Sequence, residues 1–397
     1  MKALCFYSYS KSGECEVDKM RNDIILGMLP DVFAFADGTR VQSVQDWEKR
    51  RQEIKDTAIS LEYGGMPPAP DAVRVERLTE RGKGAANCYR VHCMIDDKDF
   101  TFCFMVHRPK EGEKCPVIVT GDSMYTENCN DKVVQEANRR GFAVVRFNRT
   151  EFAPDMYNSD RADGIYPFWP ELAFSAISAW AWGYHRVIDA LACLDYIDMN
   201  HIAVTGHSRG GKTVLLAGAT DERIQYVNPN GSGAHGCGCY RFIQIEEEDG
   251  RKDPRSETLE DLFQAVPYWM GPEMRMYIGR ENELPHDMHF IKALVAPRAL
   301  LETNGYDDIW SNPRGSYLTH LAAKEVWNLY GNAENCQTWY REGGHAHGWD
   351  DFVALFDFLE TAIRKKAARQ TKEPYEDMKP LHEWRRKYGV FAKQKHY

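Results

Sequence analysis

A serine bracketed by glycines constrains this chain more than any other feature. Val204-Thr205-Gly206-His207-Ser208-Arg209-Gly210-Gly211-Lys212 places G-x-S-x-G between a β-branched run at 201–205 and a helix-compatible run at 212–219. In a strand–turn–helix setting this spacing forms a nucleophile elbow. The sharp turn lifts the serine hydroxyl off the sheet, where a base can reach it and the next backbone N–H faces a developing oxyanion. An ordinary glycine-rich βα turn can carry the same five residues, so the rest of the chain has to decide between the two.

The 397 residues suffice for one large α/β domain or two smaller ones. A formal net charge of −9, with no long Lys/Arg block before the tail, argues against nucleic acid or an anionic membrane surface as a partner. No window approaches the ~18 to 20 continuous apolar residues of a membrane span, and residues 1–11 lack an apolar signal core and a small-residue cleavage site. Eleven scattered cysteines, an odd number, suit a reduced protein better than a disulfide scaffold. The expectation is a cytoplasmic protein as the chain stands, or a secreted one whose leader has been removed.

No repeat or low-complexity tract interrupts the chain. Residues 1–70 read as an N-terminal attachment packed on the main domain, polar and irregular to Gly38, then helical over 43–62 with Ser43 as N-cap and Asp46 in the first turn. Gly64-Gly65-Met66-Pro67-Pro68 ends that helix. The main domain spans 71–370. It opens with strands at 89–95 and 100–106 joined by the turn Asp96-Asp97-Lys98. Buried strands at 116–120 and 142–147 flank a helix at 131–140. A long helix carrying Trp180, Tyr184, Val187, Leu191 and Leu194 on one face leads to the elbow strand. Runs at 298–303, 315–329, 337–341 and 350–363 then alternate strand and helix, which predicts a parallel sheet between helical layers. Residues 371–397 form a charged extension.

Catalytic groups in such a sheet gather at the carboxyl ends of its strands. In the α/β-hydrolase arrangement they follow the chain order serine, acid, histidine. After 298–303 comes Gly305-Tyr306-Asp307-Asp308, and after 337–341 comes Gly343-Gly344-His345-Ala346-His347. Asp308 is the preferred acid over its neighbour Asp307, since it must accept from the imidazole and fix its tautomer. His345 is the preferred base over His347, because two small glycines before it allow close approach. The fold class is therefore α/β, an α/β-hydrolase fold with a mostly parallel sheet between helices and an N-terminal helical and hairpin attachment. Cys237-Gly238-Cys239, even with His235 and His207, is a poor match to metal-ligand spacing, and both cysteines are expected to pack near the floor of the site. The chemistry calls for no metal and no cofactor.

With these residues in place the chain resembles the glucuronoyl esterases of carbohydrate esterase family 15, the bacterial branch in particular. The resemblance rests on Phe35-Ala36-Asp37-Gly38-Thr39, Ala179-Trp180-Ala181-Trp182-Gly183, Gly206-His207-Ser208-Arg209-Gly210-Gly211-Lys212, Pro267-Tyr268-Trp269, Leu284-Pro285-His286-Asp287-Met288-His289, Asp308-Ile309-Trp310-Ser311-Asn312-Pro313-Arg314-Gly315 and Gly344-His345. It implies hydrolysis of an ester between 4-O-methylglucuronic acid on xylan and an alcohol, often lignin-derived. Ser208 would attack the uronate carbonyl and Arg209 would help hold the oxyanion. Lys212 would bond sugar hydroxyls, while Trp310, Glu257 and Trp269 would contact the substrate. Many members carry a glutamate just after the strand that follows the elbow helix. Here Asn230-Gly231-Ser232-Gly233-Ala234-His235 has no carboxylate, which leaves the acid role to Asp308.

Two other readings fit less of the sequence. An acetyl xylan (oligosaccharide) esterase would share the fold and read the acyl group. A non-catalytic carbohydrate-binding relative would have no need of Ser208, Asp308 and His345 together.

Overall fold

The computed structural model describes residues 23–83, 85–110, 114–123, 129–156, 161–246, 255–366, 373–375 and 378–382. Residues 1–22 of the expected attachment and most of the expected extension at 371–397 lie outside the described residues.

The strands are β1 (Ile24–Ile25), β2 (Ala72–Arg77), β3 (Ala86–Ile95), β4 (Lys98–His107), β5 (Cys115–Thr120), β6 (Ala143–Phe147), β7 (Ile197–His207), β8 (Tyr226–Asn230), β9 (Phe242–Ile243), β10 (Ala299–Gly305) and β11 (Cys336–Arg341). The α-helices are α1 (Val44–Ile54), α2 (Ser60–Tyr63), α3 (Asp131–Arg139), α4 (Ala176–Leu191), α5 (Arg209–Thr220), α6 (Leu259–Ala265), α7 (Met288–Ala293), α8 (Pro313–Tyr330) and α9 (Trp349–Arg364).

Nine strands form one sheet in the order β11-β10-β8-β7-β5-β6-β4-β3-β2. From β6 to β11 every neighbouring pair is parallel, while β4, β3 and β2 extend the β6 edge antiparallel. The parallel half reads as apolar runs such as Val117-Ile118-Val119, buried because helices cover both faces. Helices α3 and α9 pack over one face through Val133, Val134, Phe352, Phe356 and Leu359. On the other, Trp180, Leu215, Ile291 and Trp327 of α4, α5, α7 and α8 share a single larger core. β2 has no counterpart among the expected strands. It pairs with β3 at the sheet's antiparallel edge and half-buries Val73 and Val75.

Two expectations differ in detail. The helix expected at 43–62 begins as read, with the Ser43 hydroxyl accepting from Asp46 N at 3.1 Å, but passes through a π-helical turn at Lys55–Ile59 before α2. It stops at Gly64, whose φ of +71° suits glycine. Helix α4 is buried on every side except at Asp189 and ends at Leu191, before Leu194. A one-faced stripe was expected there. The attachment covers part of the solvent face, because Ser178 Oγ donates to Tyr63 O and Gly65 O and Trp182 Nε1 donates to Pro68 O.

Candidate active site

Strand β7 ends at His207 and α5 starts at Arg209, leaving Ser208 alone in the turn with φ +55° and ψ −119°. That conformation is costly for a residue with a Cβ and marks a strained elbow. Gly206 is dictated by close approach, since a Cβ there would sit 2.4 Å from Gly210 O. The turn is also tied from outside. Ser208 N donates to Asn230 O at 2.8 Å, and His207 N donates to Asp122 Oδ2 at 2.9 Å. Asp122 is itself paired with Arg149, and both are buried.

The candidate acid and base come from the ends of β10 and β11. Asp308 Oδ2 accepts from His345 Nδ1 at 2.8 Å, which fixes the tautomer and leaves the lone pair on Nε2. Asp308 is buried while the His345 side chain is 39% exposed. The Ser311 hydroxyl lies 3.1 Å from the same Nδ1 and donates to Gly231 O at 3.1 Å. Gly231 has φ +48°, and a Cβ there would lie 3.2 Å from Asp308 Oδ2. Position 231 thus borders the space that the Asp308 carboxylate fills.

The rivals are placed elsewhere. Asp307 is exposed and accepts from Gly343 N at 3.1 Å, bracing the turn before His345. His347 is buried and stacks on Phe352 at 4.0 Å, and burial holds its pKa well below the usual histidine value.

Four binding candidates meet beside the elbow. Lys212 Nζ donates to Ser232 O at 2.8 Å, to Ala234 O, and to Glu257 Oε2 at 3.2 Å. Glu257 N in turn donates to Trp310 O at 3.0 Å, and the Trp310 side chain is exposed. Lys212 is only 3% exposed, and its three N–H donors already have three acceptors. A sugar hydroxyl would reach the Lys212 ammonium by exchanging with one of these partners. Arg209 Nη1 donates to Asp155 Oδ2 at 2.7 Å, and its side chain is 36% exposed.

Trp269 differs from the expected substrate contact. It is 5% exposed, its Nε1 donates to Asp155 Oδ1 at 3.2 Å, and its ring lies 4.9 Å from the Arg209 guanidinium and 5.7 Å from the Lys212 ammonium. The buried indole packs against both cations. Sequence reading missed Asp155, Asp122, Asn230, Ser311 and the Tyr268 hydroxyl that also bonds Asp155 at 2.9 Å. No linear spacing links Asp155 to Arg209, 54 positions away. Cys237 and Cys239 are buried free thiols, with Cys239 Sγ donating to Asp287 Oδ2 at 3.6 Å.

A serine on a strained elbow, a carboxylate-oriented histidine and a guanidinium beside them are the parts of acyl transfer through a serine ester. Fold and site together define a carboxylic ester hydrolase of the α/β-hydrolase fold. A family model described as glucuronyl esterase, fungi, matches residues 82–331, well over half of the chain. A 4-O-methyl-glucuronoyl methylesterase 1 of Wolfiporia cocos is 30% identical over 342 residues, covering 83% of this chain and 80% of that one. The 4-O-methyl-glucuronoyl methylesterase of Schizophyllum commune is 29% identical over 349 residues, covering 86% and 83%. Among solved structures, a carbohydrate esterase family 15 glucuronoyl esterase from Caldicellulosiruptor kristjansonii superposes with a TM-score of 0.75 at 29% identity, covering 90% of this chain and 97% of that one.

The chain belongs to the glucuronyl esterase family. Its matched model and these two curated relatives are fungal, so the expected bacterial branch is not borne out. None of these relatives is described as an acetyl xylan esterase. Among the described residues no helix is long and apolar enough to cross a membrane.

Proposed function

We propose that this enzyme hydrolyses the ester between the carboxyl group of a 4-O-methylglucuronic acid and an alcohol. Ser208 is the nucleophile, His345 the base and Asp308 the acid that orients it. His345 Nε2 takes the Ser208 proton as Oγ attacks the uronate carbonyl, and the imidazolium so formed is held by Asp308. Collapse of the tetrahedral intermediate transfers that proton to the departing alcohol and leaves a Ser208 acyl-enzyme. Water, deprotonated by His345 in its turn, releases the uronic acid and restores the serine.

Negative charge on the carbonyl oxygen develops beside the N-terminus of α5, where the Arg209 backbone N–H and guanidinium oppose it. The exposed Trp310 indole offers a flat apolar face to the pyranose ring. Glu257, anchored to Lys212 through one oxygen, presents its other oxygen to sugar hydroxyls. In this reading Lys212 orients Glu257 and admits substrate only by exchanging a partner.

The observation that carries the proposal is the 2.8 Å bond from His345 Nδ1 to Asp308 Oδ2 beside the strained Ser208. The names of the relatives supply the acyl group. The test is turnover of methyl 4-O-methylglucuronate against an acetylated xylo-oligosaccharide, with Ser208→Ala as control. Cleavage of the uronate ester that is lost in S208A is expected, and cleavage of the acetate alone would refute the assignment.

A further inference from the structure

Outside the site, a buried carboxylate leads directly into it. Glu62 in α2 is wholly buried and accepts from the Tyr240 hydroxyl at 2.5 Å, His235 Nδ1 at 2.6 Å and His286 Nε2 at 2.7 Å. Burial opposes its ionisation, but hydrogen bonds from His235 and His286 outweigh it and hold the carboxyl below its ordinary range.

His235 is the hub. It sits in the glycine-rich loop after β8, wholly buried with φ +63°, and its second nitrogen, Nε2, meets Trp269 O at 3.0 Å. A carboxylate and a carbonyl can only accept, so both ring nitrogens face acceptors. Tyr63 packs against it at 4.5 Å, and the Tyr63 hydroxyl donates to His235 O at 3.4 Å.

The loop that carries this ring and the bond from its Nε2 both end on supports of the site. The residue before it, Ala234, supplies a carbonyl that holds Lys212 Nζ, as does Ser232. The residue its Nε2 grips, Trp269, backs both Lys212 and Arg209. We propose that His235, gripped between Glu62 and the Trp269 carbonyl, is a positioning residue that registers the Lys212 cradle against the Trp269 indole. Through Lys212 it sets where Glu257 meets the sugar. The proposal rests on the glucuronoyl-ester reading of the site.

The experiment is His235→Gln, which keeps one donor and loses the second bond. KM for methyl 4-O-methylglucuronate is expected to rise roughly tenfold with kcat within about threefold, since sugar contact is loosened and the serine is untouched. Labelling of Ser208 by a fluorophosphonate, which needs no sugar contact, is expected to stay at the wild-type rate. In a Lys212→Ala background the same change should raise KM less than about twofold, because the two act in series. An unchanged KM, or labelling that falls with turnover, would overturn the proposal.

Should H235Q fail to fold, Glu62→Gln, which weakens the grip on the same ring, is read in the same two assays. A raised KM with labelling at the wild-type rate is expected, and an unchanged KM would overturn the proposal. Wild-type protein inert towards every glucuronoyl ester would instead refute the functional reading, and the labelling rates would stand apart from it.

Discussion

The imidazole of His207 lies against that of His345, with ring centroids 4.4 Å apart and planes 41° from parallel. His207 Nδ1 donates to Asn230 Oδ1 at 2.6 Å. Burial first, then the charge on His345, pull the His207 pKa down to about 4. His207 is therefore uncharged above about pH 5.

Above about pH 5 the acid limb of log kcat/KM should therefore be no steeper than one proton, with no contribution from His207. A limb of slope two in that interval would show that His207 titrates with His345.

Asp308 and Asp307 are adjacent in sequence but differ in partner. D308N should lower kcat by about 10³ to 10⁴-fold, because the amide no longer selects the tautomer that leaves Nε2 basic. D307N removes a turn contact and should stay within about threefold of wild type. Steady-state kinetics on both variants check the pair, and the reverse order would exchange the two roles.

The elbow stores strain at Ser208, so the two inactive variants should differ in stability. S208G relaxes the φ of +55°, whereas S208A retains a Cβ in the same conformation. The glycine variant should be more stable than the alanine variant by about 1 kcal/mol, the strain outweighing the entropy glycine adds to the unfolded chain. Paired denaturant melts measure this, and an alanine variant equal or superior would remove the strain argument.

Arg209 is aimed by a 2.7 Å bond to Asp155 and by the Trp269 ring. R209K keeps the backbone N–H and the charge but loses the planar fork, and should reduce kcat by roughly 10²-fold with little change in KM. A rise in KM at constant kcat would place Arg209 in ground-state binding instead.

Acid stability has a sign fixed by buried neutral histidines. Burial lowers the pKa of His107, His185 and His207 to about 4, and that of His289 and His347 well below the usual value. In the unfolded chain these groups titrate near 6.5, so between about pH 6.5 and 4 the unfolded state binds more protons. Stability present above about pH 6.5 is lost progressively as pH falls through that window. The melting temperature should drop from pH 7 to pH 5, and a level or rising value by calorimetry would contradict the shifts.

Much of the site was legible because its signals are local. Gly206 and Gly210 announce an elbow by themselves, since only small residues let β7 and α5 approach so closely. The alternation of apolar runs and helical stretches after Cys115 marks a parallel sheet, and chain order then points to the ends of β10 and β11. Less could be read where burial depends on distant chain. Helix α4 shows a stripe in sequence, yet the attachment covers part of its other side. Strand β2, with its exposed polar alternation, carries too weak a signal to stand out from a loop.

The covalent sequence is enough to single out Ser208 as the candidate nucleophile and to narrow its candidate partners to Asp307 or Asp308 and His345 or His347, because turn chemistry and chain order act over a few residues. Choosing within each pair needed the tertiary structure. Adjacent loop residues have the same propensities, and only packing decides that Asp308 turns inward to His345 while His347 goes beneath Phe352. The same holds for Trp269 against the cations and for Glu62 reaching His235 across 173 positions. Contacts at such separation have no periodicity in the chain. They exist only once the hydrophobic core has brought the segments together and a buried charge must find its partners there.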